Sequence, residues 1–514
     1  MAEIVIIGAG PAGLSAALDV VEPGHRCTVM EASGAVGGMA GSFEIAGQRV
    51  DYGSHRLHYA ISERQRARFE RLLGDDLQIR PRNGRIRLRD RWIGFPLRTW
   101  DLLTHVPPSF GLRVAADMVT GPFRRTPTDP TRRTPAGRLR RTPSTPLDDP
   151  SDPSFDAEVR ARLGPTVADE FYGPYARKLY GVEPVELDAE LAQRRVSASG
   201  AGDVLRRVVR AARPAGRQFL YPRHGYGQLS EAMAAAAVDA GVDLRLNTAA
   251  AGIELDVGGV AVRLRPHGRQ TDDDGDSRPG TAAENSARPN PGSDANETVR
   301  ADAVLSTVPV PTLASIMTPA PPPEVVDALG RCRTRAMVLA YLVVDRDQYT
   351  PYDAHYFPGP DTVVARLSEP KNYRDGDDPA GQSVLCAEIP CWSHDDIWHT
   401  DDADIAEQVA ADLEASGLPA LSPSETAVRR LPSVYPVFER ATMGDRATVA
   451  EWLASLAPSG LISFGRQGLA VIDNLHHVTD MGAAAASALT PDGEVCSDAW
   501  LASLNRFASH VVED

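Results

Sequence analysis

The first hydrophobic run, Ile4-Val5-Ile6-Ile7, has no polar break, which is the pattern of a strand covered on both faces. Gly8-Ala9-Gly10-Pro11-Ala12-Gly13 follows, and Leu14 to Val21 then mixes small and apolar residues as a helix packed on a sheet does. Cys27 to Met30 reads as a second short strand that ends at Glu31. Val260 to Leu264, Ala301 to Ser306 and Leu461 to Phe464 read as further strands, and residues 336–345 and 383–389 as strands of a second sheet. Residues 155–212 read as helical and Arg-rich, and residues 402–417 as an amphipathic helix. An Ala-rich helix is expected from about Asp480 to Leu489. No internal repeat is visible.

Two stretches break this patterning. Residues 122–154 are crowded with Pro, Thr and Arg, and residues 266–298 with Asp, Gly, Ser, Asn and Pro. Neither carries enough apolar surface to offset the entropy of ordering, so both are expected to be mobile insertions. The second lies between Val260–Leu264 and Ala301–Ser306 and reads as a lengthened hairpin loop, because closure entropy grows slowly with length. Residues 100–120 are weakly amphipathic, which fits a substrate-domain helix or a peripheral membrane contact.

Composition narrows the class. With 514 residues, 42% hydrophobic and 24% charged, the chain can bury a large core, and disordered, collagenous and disulfide-scaffold classes are excluded. No apolar run reaches the roughly 18 residues of a membrane span. The net charge of −15 disfavours nucleic acid as a partner. Only Lys178 and Lys371 are lysines, so nearly every cation is an Arg fork suited to phosphate or carboxylate. Cys27, Cys332, Cys386, Cys391 and Cys496 form no CxxC pair and suit a reducing cytoplasm. Met1 leads straight into a strand, without the basic and apolar regions of an export signal.

The chemistry starts at Gly8-x-Gly10-x-x-Gly13, which follows a strand and opens a helix. Gly8 permits the tight turn, Gly10 lets backbone approach a pyrophosphate, and Gly13 lets helix and strand pack closely. The free N–H groups of the helix start attract the diphosphate. Glu31, 18 residues beyond Gly13, can accept hydrogen bonds from ribose hydroxyls and would repel a 2′-phosphate, which disfavours NADP.

The run from Glu31 and Ala32 to Gly37-Gly38-Met39 resembles the extended FAD fingerprint of the flavin amine oxidase superfamily. Asp302-Ala303-Val304-Leu305-Ser306-Thr307-Val308-Pro309 resembles the strand that returns to the nucleotide domain there. Gly465-Arg466-Gln467-Gly468, with the helix near Met481-Gly482, resembles its C-terminal flavin-binding element. The resemblance implies FAD as cofactor and an α/β fold: a Rossmann-type FAD/NAD(P)-binding domain with a mixed antiparallel-sheet and helical substrate domain. It implies an FAD-binding domain from residues 1–95, 216–310 and 456–514, a helical cap from 96–215, and a substrate-domain sheet from 311–455. Expected cofactor contacts are Gly8, Gly10, Pro11, Ala12, Gly13, Glu31, Ala32, Gly37, Gly38, Met39, Gly53, Ser54, His55, Gly465, Arg466 and Met481.

A narrower resemblance concerns Asp51-Tyr52-Gly53-Ser54-His55-Arg56-Leu57-His58, similar to the Gly-x-His-x-x-His segment of UDP-galactopyranose mutases and their oxidoreductase-like relatives. It implies catalytic roles for His55, beside the flavin, and His58. The two could also form half of a metal site, but no third ligand cluster is visible, and no metal is expected. Phe171 to Gly181, Tyr221 to Leu229, Arg366 to Tyr373 and Tyr435-Pro436-Val437 resemble further segments of mutases and protoporphyrinogen-oxidase-like proteins, implying roles for Tyr175, Arg177, Arg366 and Tyr435. Arg80, Arg82, Arg85, Arg87, Arg89, Arg91 and Arg98 crowd one stretch. Strand alternation would align Arg85, Arg87, Arg89 and Arg91, either as a solvated edge or as an anion-binding wall. The implied activity is FAD-dependent dehydrogenation of a small, anionic molecule by hydride transfer to flavin N5. Redox-neutral mutase chemistry on a nucleotide sugar is the alternative. A homodimer stays open.

Overall fold

A computed structural model describes residues 1–59, 61–95, 109–114, 116–117, 153–195, 218–256, 259–266 and 297–512. The expectations for the two insertions, for most of residues 96–120 and for the end of the Arg-rich helical stretch lie outside the described residues, as does Arg98.

The strand Glu3–Ile7 lies at the centre of a five-stranded parallel sheet, in the order Asp243–Arg245, Arg26–Met30, Glu3–Ile7, Ala303–Ser306, Leu461–Ser463. Its unbroken apolar run follows from cover on both sides. Ile4 and Ile6 join one core with Leu14 of the helix Pro11–Val21, Met233 of the helix Gln228–Asp239 and Met481 of the helix Leu475–Ser487. Val5 and Ile7 join another with Val260, Leu313, Val325 and Trp452, contributed by the four-stranded sheet and the helices beyond it. Ala301–Ser306 divides in two: Thr298–Ala301 closes the hairpin with Gly259–Pro266, and Ala303–Ser306 crosses into the parallel sheet.

The second sheet has seven strands, in the order Glu425–Pro436, Thr334–Val344, Ser383–Cys391, Arg366–Ser368, Ala354–Tyr356, Gly84–Leu88, Arg91–Phe95. Val338, Ala340, Leu385 and Ala387 face the helix Asp402–Ala415 through Ile405, Val409 and Leu413. Leu339, Tyr341, Val384 and Cys386 face Phe43 and Val50 of the hairpin Ser42–Asp51. That second face lies toward the nucleotide domain and carries the polar groups described below.

The Arg-rich stretch differs from its reading in the shared face. Gly84–Leu88 and Arg91–Phe95 form the edge of the seven-stranded sheet. They form a hairpin whose turn holds Arg89 at φ +55, so Arg85, Arg87, Arg89 and Arg91 do not share one strand face. Arg87 pairs with Asp361, Arg89 with Glu170, and Arg80 with Asp375. Arg85 lies 4.0 Å from the Tyr352 ring, and Arg91 is exposed. Three of these charges, on Arg80, Arg87 and Arg89, are already matched by carboxylates, and among the described residues the arginines form no single-faced wall. A nearby recess is matched in the same way: Lys371 meets Asp347 and Arg374 meets Asp378.

The Ala-rich helix begins at Leu475, before Asp480, because Asn474 caps it and the N3 residue His477 accepts from the Asn474 N–H at 3.3 Å. No described helix is long and apolar enough to cross a membrane.

Candidate functional site

The glycine turns pack on one another. Gly8 has φ +107, and a Cβ there would sit 2.1 Å from Thr307 Oγ1. A Cβ on Gly13 would sit 2.0 Å from Gly8 O, so only glycine lets the helix start this close to the strand. Gly37 donates its N–H to Ala9 O at 2.9 Å, which brings Gly38 against Gly10. Gly465 approaches Ala12 and Thr307 from the C-terminal part of the chain.

Around this knot the backbone is left bare. A Cβ on Gly10 would find nothing nearer than Gly37 O at 4.0 Å, and Gly38 is exposed. The helix from Pro11 has no acidic residue in its first turn, so its positive end is not neutralised from within. Glu31 is held by the N–H of Ala9 at 2.8 Å and by Ser33 N and Oγ at 2.9 and 2.8 Å. Its carboxylate keeps acceptor capacity for a ribose. Ala32 is exposed beside it. A bare glycine-lined cradle, an unneutralised helix start and an acceptor at the next strand end fit an adenine dinucleotide. Met481 differs from its reading: its side chain is fully buried in the core, and the neighbouring Gly482 sets the contact, since a Cβ there would lie 2.3 Å from Ala12 O.

The loop after Asp51 links the two domains. Asp51 is buried and accepts from Ser42 Oγ at 2.7 Å, Tyr226 N at 2.8 Å and the Tyr221 hydroxyl. Gly53 turns at φ +90. Ser54 N donates to Glu388 Oε1 at 2.7 Å, and Ser54 Oγ meets the Tyr373 hydroxyl. Glu388, on the strand Ser383–Cys391, also takes a bidentate pair from Arg366 at 2.9 and 2.8 Å. Burial works against the Arg366 charge, but Glu388 outweighs it and holds the guanidinium pKa well above its ordinary value. Arg56 completes the network, reaching the Tyr356 hydroxyl at 2.9 Å and Asp353 at 3.0 Å.

His55 stacks on Tyr226, with ring centres 5.0 Å apart. Its Nε2 lies 3.0 Å from both Met39 O and Tyr52 O, so Nε2 carries the proton and Nδ1 the lone pair. Burial holds its pKa below the usual value, so the ring is neutral. Arg366 and Glu388 both act on it electrostatically, and Tyr356 and Tyr435 act on Arg366. His55, Arg366 and Tyr435 therefore lie in one electrostatically coupled neighbourhood. Arg466 joins them: it lies 5.1 Å from the Tyr435 ring and donates to Val434 O at 2.9 Å. Its Nε is buried without an acceptor, and burial pulls its pKa down. Gln467 reaches Met39 Sδ at 3.0 Å, tying the C-terminal turn to the loop after Gly38.

The remaining candidates lie elsewhere. Tyr175 packs with Phe171 against Tyr356 and Ile86, at the edge of the network. His58 lies toward His476, with ring centres 6.1 Å apart. Arg177 is half-exposed and forms a bidentate pair with Glu183 at 2.7 and 2.6 Å, so its charge is spent at the surface. The neighbouring Lys178 is the buried cation. Its Nζ donates to Phe357 O at 2.7 Å and Val364 O at 3.0 Å, and burial lowers its pKa to about 8. Lys371 is likewise turned inward, donating to Pro379 O at 2.7 Å and Gln382 O at 3.1 Å. Sequence reasoning missed Glu388, although a lone carboxylate in the apolar run Ser383–Cys391 is a visible signal.

Similar folds occur among solved structures. A reduced UDP-galactopyranose mutase superposes with a TM-score of 0.70 at 19% identity, covering 95% of this chain and 93% of that one. A protein from an Exiguobacterium species, assigned as a protoporphyrinogen oxidase, gives 0.64 at 18% identity over 95% and 98%. Cyclohexylamine oxidase from Brevibacterium oxydans gives 0.61 at 15% over 95% and 98%. These likenesses establish the fold. Phytoene dehydrogenase from Streptomyces griseus is 48% identical over 50 residues, and the match spans only 10% of either chain. The profile of the flavin-containing amine oxidoreductases matches residues 11–453. A match over that much of the sequence, on a chain whose glycine turns leave room for the dinucleotide, places the protein in the flavin-containing amine oxidoreductase family as an FAD-dependent oxidoreductase.

Proposed function

We propose that this enzyme dehydrogenates a small molecule bearing an anionic group, by hydride transfer to flavin N5. Bound FAD supplies the hydride acceptor. The chain supplies grip, orientation and proton management. Gly8, Gly10, Pro11, Ala12 and Gly13 hold the diphosphate, and Glu31 and Ala32 the ribose. Gly37, Gly38, Met39, Gly53, Ser54, His55, Gly465 and Arg466 hold the flavin end. His55 Nδ1 is the atom that accepts the substrate's N–H or O–H proton, while Nε2–H keeps the ring fixed on Met39 O and Tyr52 O. Arg366, clamped by Glu388, and the Tyr356 and Tyr435 rings wall the cleft.

The anionic preference rests on Arg466. It is a partly buried guanidinium whose side chain meets Tyr435 and Val434 O, with an enclosed Nε that finds no acceptor and no carboxylate in ion-pair contact among the described residues. A cation held there without a carboxylate in contact is costly, and a substrate carboxylate or phosphate offsets that cost.

Anaerobic mixing with carboxylate- and phosphate-bearing amines, alcohols and polyenes tests the reading. Bleaching of the visible flavin band by one of them is the expected result. Arg466→Gln should then raise the KM of that substrate by roughly tenfold or more, the loss of one charge-assisted hydrogen bond. Turnover that begins only after chemical reduction of the flavin and leaves it reduced would overturn the proposal in favour of mutase chemistry.

A further inference from the structure

Away from the glycine turns, the start of the helix Leu475–Ser487 meets the C-terminal segment that follows the helix Ser497–Phe507. Asp473, His477 and His510 converge there, and their ligating atoms all lie within 4.8 Å of one another. The Asp473 side chain is fully buried. Its Oδ2 lies 3.0 Å from His510 Nδ1, a normal hydrogen bond. Its Oδ1 is buried without a hydrogen bond, 3.3 Å from His477 Nδ1.

That last contact is unusual. In the neutral tautomer in which His477 Nδ1 accepts the Asn474 N–H, it presents a lone pair to an oxygen that also has only lone pairs; the alternative tautomer, with the proton on Nδ1, would donate to Asp473 and give up the Asn474 N–H. Two acceptors facing each other in a buried place call for positive charge between them. Among the described residues, the ion-pair contacts of Asp473 are with His477 and His510 alone; Arg466 acts on Asp473 electrostatically but makes no ion-pair contact with it. His476 adds a second orphan: its Nδ1 is buried with no partner, and its ring centre lies 4.0 Å from that of His477.

We propose that Asp473, His477 and His510 bind one divalent transition-metal ion of the zinc class. One carboxylate and two imidazoles are a donor set suited to such borderline ions, with a coordination position left over for water or a further ligand. The His477 and His510 rings now stack, 4.3 Å apart and 15° from parallel. One ring turns to aim both nitrogens at a shared ion. His510 suits that movement, lying beyond the last turn of its helix with its side chain 13% exposed. The bound ion fastens the C-terminal segment to the helix start. This inference is independent of the hydride-transfer reading, since it concerns metal content and tail anchoring rather than turnover.

The test uses the untagged, full-length flavoprotein. The protein is stripped with EDTA, equilibrated with zinc alone, gel-filtered and assayed for zinc per chain and flavin per chain. The wild type is expected to retain about one zinc and to gain thermal stability from it. His510→Ala changes only the tail and is expected to keep its flavin, yet to bind zinc at least about tenfold more weakly and to lose the zinc-dependent gain. Asp473→Asn should behave alike. A wild type that retains no zinc, or a His510→Ala protein that retains as much as the wild type, overturns the proposal.

Discussion

The glycine turns and the Glu388 node treat buried polarity in opposite ways. At the turns the work is done by backbone, and side chains are excluded: a Cβ on Gly13 would lie 2.0 Å from Gly8 O. At the node the work is done by side chains from distant segments. Glu388 holds Ser54 N across 334 positions of sequence and Arg366 across 22. A backbone site tolerates no addition and is written locally. A side-chain site exists only once the domains meet, and its failure is paid in stability.

Four substitutions probe that contrast. The largest effect is expected from Gly13→Val, which drives two methyl groups into the strand–helix contact and should leave a colourless protein, read by flavin content after purification. A yellow Gly13→Val protein of normal stability would end the distinction. Next, Glu388→Ala strands the buried Arg366 charge and should cost about 3–5 kcal/mol in urea unfolding. A loss below about 1 kcal/mol, the scale of an exposed pair, would show that Arg366 finds another partner.

Lys178 gives a smaller, pH-dependent effect. Its pKa falls from 10.5 when unfolded to about 8 when folded, so between those values the unfolded chain binds more protons. Wild-type stability should therefore rise by on the order of 3 kcal/mol relative to Lys178→Met across that window, and the difference should be flat below about pH 7. A difference that shrinks with rising pH would reverse the assignment. The smallest effect is expected from Arg177→Gln: its pair with Glu183 is solvent-exposed, so flavin content and turnover should match wild type. Reduced turnover would return Arg177 to the site.

The contrast also explains what could be read from the chain. Gly8, Gly10, Gly13 and Glu31 were legible because their spacing is fixed by one strand, one turn and one helix. The double-sided burial of Ile4–Ile7 was legible for the same reason. The hairpin Gly84–Phe95 was not: alternation was visible, but the turn at Arg89 that divides it, and the carboxylates that neutralise it, come from elsewhere in the fold. Arg177 and Lys178 are adjacent, and only the packing of their helix decides which faces solvent. Asp473, His477 and His510 escaped notice because the tail brings in the third member 33 residues after the second.

The inward-turned lysines have a practical corollary. Reagents that acylate amines find neither side-chain amine freely presented, since the Lys178 and Lys371 ammonium groups are both tied to main-chain carbonyls. Modification of Lys178 requires the Phe357–Val364 segment to release it, so the rate of its acylation is a clock for local opening of the connection between the strands Ala354–Tyr356 and Arg366–Ser368, read one residue at a time by mass spectrometry.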